Sequence, residues 1–127
     1  MIDTQQIVDS LSMLPQVEAI YLLGSAAHGN MRPDSDVDIA LLVKNGQKID
    51  NDSLSRSVSE LSLKCGREID IGYVSTQNLV YSRQALLTGK RIFARNTTDT
   101  QMREATLLGL YAQFQLDRRE VIDAYKA

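Results

Sequence analysis

The tetrapeptide Asp36-Val37-Asp38-Ile39 constrains the fold more than any other stretch of the chain. Acidic and branched apolar residues alternate there with a period of two, the period of an extended strand. In a strand Asp36 and Asp38 share one face, and Val37 and Ile39 share the other. The apolar face requires a core. The acidic face requires a counter-charge, because two adjacent carboxylates repel each other. The pattern recurs at Glu68-Ile69-Asp70-Ile71, again with both acids on one side. If the two strands are neighbours, Asp70 approaches the Asp36/Asp38 pair. Three such carboxylates suit a hard cation such as Mg²⁺, which prefers oxygen ligands. They can hold two metal ions about 3.5–4 Å apart, a spacing that clamps the attacking and leaving oxygens of an in-line phosphoryl displacement.

The rest of the chain alternates helical and strand patterns. Asp3 followed by Gln6 resembles a capping box, and Ile7, Leu11 and Leu14 then fall on one helical stripe that Pro15 ends. The apolar run Val17 to Leu23 reads as a buried strand, closed by Gly24-Ser25 and a small-residue turn. Arg32-Pro33-Asp34-Ser35 is a turn, and Asp36 to Val43 is the second strand. Asp50 or Asp52 caps a helix in which Leu54, Val58, Leu61 and Cys65 share a face, with Gly66 in the C′ position. Glu68 to Val74 is the third strand. Thr76 to Thr88 is helical, Arg91 to Phe93 is a short extended piece, and Thr100 to Ala124 is a long helix with Ala105, Leu108, Ala112 and Leu116 on one stripe. The expectation is an α/β or α+β fold, with a small mixed central sheet flanked by helices, in a single domain over residues 1–127.

The composition narrows the chemistry by exclusion. The 127 residues carry a formal net charge of -2, against the basic excess expected of a surface that tracks nucleic acid. The single cysteine, Cys65, leaves no internal disulfide and no cysteine-based zinc site. No apolar run approaches the ~18 residues that a membrane span requires. The N-terminus lacks a basic segment followed by an apolar one, so no signal peptide is expected and a cytoplasmic protein is.

Gly24-Ser25 sits where an apolar strand meets a short helical start. Helix N-termini present free N–H groups and a partial positive charge, which suit phosphate. Glycine lets the backbone come close, and the serine hydroxyl adds a donor. A nucleoside triphosphate could place its β- and γ-phosphates there while metals grip the α-phosphate.

Gly24-Ser25, ten residues, then Asp36-x-Asp38 resembles the GS-x10-DxD signature of the DNA polymerase β-like nucleotidyltransferase superfamily, and the chain is similar to its minimal nucleotidyltransferase branch. The resemblance implies that Asp36 and Asp38 bind metal. It implies that Asp70 also binds metal and helps deprotonate the attacking hydroxyl, and that Gly24 and Ser25 hold the nucleotide. Two Mg²⁺ ions, with Mn²⁺ as a substitute, and ATP as substrate follow from it. One departure is visible. The family often has x-Ala-Arg-Gly after the serine, whereas this chain has Ala26-Ala27-His28-Gly29, an imidazole in place of a guanidinium clamp.

Stand-alone proteins of this branch resemble the antitoxin halves of bacterial HEPN/MNT toxin–antitoxin pairs. The resemblance implies transfer of AMP from ATP to a tyrosine hydroxyl of a HEPN-type ribonuclease partner, which blocks RNA cleavage. Two other classes are open: a small-molecule, aminoglycoside-type nucleotidyltransferase, and an antitoxin that acts by binding and occlusion. No second, acceptor-binding domain is legible in the chain, which favours a protein acceptor. Leu107, Leu110, Tyr111 and Phe114 do not all fit one stripe of the last helix and could meet a partner, the chain's own core or a second copy in a homodimer. Lys44, Lys90-Arg91 and Arg118-Arg119 read as solvated surface charge. Glu68 reads as a solvated acid, and Asp70, if it binds no metal, as a partner of Arg67 or Lys64.

Overall fold

The computed structural model describes residues 3–29, 31, 32 and 34–126. Helix α1 (Thr4–Leu11) is capped by Asp3, whose side chain accepts from the Gln5 N–H at 3.0 Å. Among the described residues Gln6 makes no reciprocal hydrogen bond to Asp3, so Asp3 acts as a simple cap. Strand β1 (Val17–Leu22) leads into the short helix α2 (Gly24–His28). Strand β2 (Val37–Val43) follows, then α3 (Asn51–Cys65), β3 (Ile69–Val74), α4 (Leu79–Thr88), β4 (Lys90–Ala94) and α5 (Thr97–Lys126). Pro33, part of the expected turn before β2, lies outside the described residues.

The strands form one mixed sheet in the order β3-β2-β1-β4. β1 runs antiparallel to both β2 and β4, while β2 and β3 are parallel. A parallel pair needs a crossover, and α3 supplies it. Asp50 caps α3 by accepting from the Ser53 N–H at 3.1 Å, and Gly66 ends it at φ 66°, in the left-handed region that favours glycine.

The alternation of β2 separates two cores. Val37, Ile39 and Leu41 pack with Ile7 and Leu11 of α1 and Leu61 of α3, and Leu54, Val58 and Cys65 border the same cluster. Ala40 and Leu42 face the other way, with Ala19, Tyr21, Val74, Ala85 of α4 and Leu107 of α5. Helices thus cover both faces of the sheet. Pairs α1/α3 and α4/α5 each pack together.

Helix α5 departs from the expected stripe. Ala105 and Ala112 are exposed and Leu116 largely so, while Thr100 and Leu107 are buried and Arg103, Glu104 and Tyr111 half-buried. Ion pairs set this rotation. Arg103 donates to Glu18 at 2.7 Å, and Glu104 accepts from Arg91 at 2.7 Å and from the Tyr21 hydroxyl at 2.8 Å. Arg91 is therefore a half-buried tie between β4 and α5 rather than solvated surface charge.

Candidate active site

The parallel register places Asp38 directly opposite Asp70. Val37, Ile39 and Ile69 hold the far side of both strands in the core, which aims the two carboxylates at the opposite face. The end of β1 is fixed beside them, because the Leu23 N–H donates to the Asp38 carbonyl at 2.9 Å. Gly24 emerges from that tie at φ 58°, and a Cβ built on it would stand 3.5 Å from Asp38 Oδ2. Glycine thus serves twice here: it takes a left-handed backbone and leaves no side chain between the turn and the carboxylate.

Leu23 enters α2 in extended backbone and makes no side-chain cap. The first N–H groups of α2 therefore have no side-chain acceptor. Ala26 and Ala27 anchor the helix on the α1/α3 core. Ser25 is half-buried in its first turn. Gly29, at φ 71°, closes it by donating to the Ser25 carbonyl.

A cavity of about 540 Å³ opens over these residues, lined by Leu23, Gly24, His28, Asp38, Asp70, Ile71, Gly72, Tyr81, Gln84, Ala85 and Thr88. Four of the expected features meet at one face: the Gly24 turn, His28, Asp38 and Asp70. Ser25 and Asp36 flank the cavity without lining it. Burial pushes the Asp38 carboxyl above the usual carboxylate range, and the charges of Asp70 and then Asp36 push it further. Asp36 is thus close enough for Asp38 to feel it. Among the described residues, no three His, Cys, Asp or Glu side chains are drawn into one metal-holding cluster. The pair brought together by the strands is Asp38 and Asp70.

Other expected residues resolve individually. Glu68 is exposed, and its carbonyl accepts the Val37 N–H at 2.8 Å. Arg67 makes no ion pair with Asp70. Its guanidinium donates to the carbonyls of Arg32 at 2.7 Å and Ser35 at 3.0 Å, which ties down the segment that delivers Asp36. Lys44 borders a different cavity at the far end of β2.

Tyr81 is the residue that sequence reasoning missed. It lies against Gly72, where a Cβ would come within 2.5 Å of Tyr81 Cζ. Burial raises its phenol, and the charge of Asp38 raises it further. The legible signal was Gly72 itself, since a lone glycine inside a strand often marks a close approach.

Residues 5–98 match the family model described as Polymerase beta, Nucleotidyltransferase. A protein adenylyltransferase, MntA, of Shewanella oneidensis is 26% identical over 110 residues, covering 87% of this chain and 77% of that protein. A chain from a toxin–antitoxin crystal structure with AMP-PNP superposes with a TM-score of 0.80 at 24% identity, covering 99% of this chain and 100% of that one. A chain from the complex of tri-AMPylated Shewanella oneidensis HEPN toxin with MNT antitoxin gives a TM-score of 0.71 at 22% identity, covering 97% and 95%. The two structural likenesses concern the fold, and α5 is included in it. The family match spans α1 to the start of α5, with the Gly24 turn, the Asp38/Asp70 pair and the parallel strands that align them all inside it, and so the chain belongs to the polymerase β nucleotidyltransferase family.

Proposed function

We propose that this chain is an antitoxin nucleotidyltransferase that transfers AMP from ATP to a tyrosine hydroxyl of a HEPN-type ribonuclease toxin and thereby neutralises it. The observation that carries the reading is the Asp38/Asp70 pair facing the Gly24 turn in one cavity. The likeness to MntA, a protein adenylyltransferase, supports protein as the acceptor class. Residues 1–127 act as a single minimal nucleotidyltransferase domain, and its place of action is the cytoplasm. Among the described residues no helix is long and apolar enough to cross a membrane.

A divalent cation fits the donor set. Asp38 and Asp70, with Asp36 near Asp38 in the chain, offer only oxygen, and burial together with the charges of Asp70 and Asp36 raises the Asp38 carboxyl, a penalty that a cation would relieve. These three residues would hold Mg²⁺, as two ions, with Mn²⁺ able to substitute. Bound there, the metal supplies charge neutralisation for the phosphoryl group undergoing transfer.

The chain's own residues do the rest. Gly24 lets the triphosphate approach the backbone, and the Ser25 hydroxyl and the free N–H groups of α2 hold its β- and γ-phosphates. Asp70 accepts the proton of the tyrosine hydroxyl as its oxygen attacks the α-phosphorus. The bond from that phosphorus to the bridging oxygen breaks, and pyrophosphate leaves. The products are AMP-tyrosine and pyrophosphate. Tyr81 forms the cavity wall beside the reacting groups.

Incubation with the purified cognate HEPN ribonuclease, Mg²⁺ and each nucleoside triphosphate in turn tests this directly. Intact mass of the ribonuclease should rise in AMP units with ATP alone. A double Asp36→Asn, Asp38→Asn variant should abolish the gain. If that variant still fully neutralises the toxin, occlusion replaces catalysis as the mode of action. An absence of mass gain with any nucleotide sinks the adenylyl-transfer reading.

A further inference from the structure

The proposed reaction needs a tyrosine hydroxyl beside Asp70, and the chain carries tyrosines of its own. Four of its five are placed elsewhere. The Tyr21 hydroxyl donates to Glu104 from a buried position under α5. Tyr73 lines the cavity at the other end of β2 and β3. Tyr111 lies under the Arg83 guanidinium, and its hydroxyl accepts from Gln115. Tyr125 is 88% exposed near the end of α5. The fifth, Tyr81, lines the cavity that also holds Asp38, Asp70 and the Gly24 turn.

The pleat of β3 places it closely. Asp70 and Gly72 are two residues apart, so they share a face, roughly 7 Å from each other along the strand. The Tyr81 hydroxyl stands over Gly72, in the space that a Cβ would take. It is therefore one pleat from Asp70, on the same side of the sheet. Asp38 lies directly opposite Asp70, and its charge is felt at the phenol. Gly72 puts no side chain between the phenol and Asp70. Among the described residues no hydrogen bond holds the Tyr81 hydroxyl. A cavity wall needs only the ring, and a half-buried hydroxyl without a partner costs desolvation.

We propose that Tyr81 is a self-modification site: without an acceptor protein, the chain transfers AMP from ATP to its own Tyr81. This rests on the reading of the chain as a protein adenylyltransferase. The Tyr81 hydroxyl oxygen bonds to the α-phosphorus, and the bond from that phosphorus to the bridging oxygen breaks. Pyrophosphate leaves with the electron pair, and the phenol proton passes to Asp70. The products are adenylylated Tyr81 and pyrophosphate. The attached AMP fills the cavity of about 540 Å³ and excludes a second nucleotide, so the unpartnered chain stops after one turnover. A partner's tyrosine seated over Asp70 takes the same space and excludes the self-reaction.

The test is intact mass of the purified chain incubated alone with MgATP, over time and at chain concentrations spanning about tenfold, with fragmentation of its peptides. The chain should gain one AMP unit, located on Tyr81, at a fractional rate that does not change with concentration. Tyr81→Phe, which keeps the ring on Gly72, should lose the gain, and Tyr125→Phe should keep it. A parallel reaction with the purified cognate HEPN ribonuclease reads transfer to the partner. Ribonuclease that gains AMP while the chain alone gains none overturns the self-modification and leaves the adenylyltransferase reading intact. AMP located on another residue of the chain, or a fractional rate that rises with concentration, also overturns it. Absence of transfer in both reactions fells the underlying reading and the self-modification with it.

Discussion

Asp38 and Asp70 occupy matched positions on two parallel strands, and their carboxylates share one cavity with a glycine turn. The arrangement concentrates negative charge on one face of the sheet. Several measurable consequences come from it and from the contacts that hold it.

In the proposed transfer Asp70 accepts the tyrosine proton, so the rate should depend on its charge. Asp70→Asn should lower kcat for AMP transfer by roughly 10²–10⁴-fold. Its side chain is exposed, so circular dichroism and thermal midpoint should stay close to those of the parent. A variant with parental kcat would remove Asp70 from the mechanism.

The raised Asp38 carboxyl links stability to pH. Its folded-state value lies above the ordinary 3.8, so the metal-free folded protein holds this proton more tightly than the unfolded chain does. The sign follows: the contribution of Asp38 to stability falls as pH rises through the raised value, and no penalty remains below 3.8. Asp38→Asn should therefore raise the midpoint of the chelator-treated protein near neutral pH. Solvent screening keeps the gain below about 4 °C. The gap should close on acidification, as read by scanning calorimetry across pH. An equal gap at all pH values would contradict the linkage.

Gly72→Ala should force Tyr81 off its seat, since the new methyl would overlap the phenol ring. Overpacking of this kind costs about 1–3 kcal/mol in urea denaturation. Tyr81→Ala in the same chain should recover part of that loss, giving a favourable coupling in a double-mutant cycle. Strictly additive losses would mean that the two positions do not touch.

Arg103→Met should strand Glu18, which is nearly buried on the central strand. A loss of about 2–3 kcal/mol is expected, reduced from the fully buried case because Arg103 is partly exposed. Glu18→Gln in the Arg103→Met background should restore stability by removing the unpaired charge. Chemical denaturation of the two variants checks this.

What could be read in the sequence was what depends on near neighbours along the chain. The alternation of Val37-Asp38-Ile39 fixed which side chains face the core and which the cavity, and the same logic held for Ile69 and Asp70; Asp36, expected in the strand, precedes its first residue. The Asp50 cap and the Gly66 terminus bounded α3 because capping involves residues only a few positions apart. The start of α4 was misplaced by three residues. Asn78 donates to the Ser75 carbonyl, closing a turn over Ser75 to Asn78 that propensity alone does not show.

Chain-distant relationships were decided by the tertiary structure. The rotation of α5 depends on Arg103 meeting Glu18, 85 residues away, and a hydrophobic stripe could not foresee that. Tyr81 enters the cavity because β3 carries Gly72 and α4 packs across it, a fit between two elements rather than a motif in either. The acids and their faces were set by the sequence, through a two-residue period enforced by the backbone. Their meeting as Asp38 opposite Asp70 was set by strand order and register, which come from packing the whole sheet against both pairs of helices.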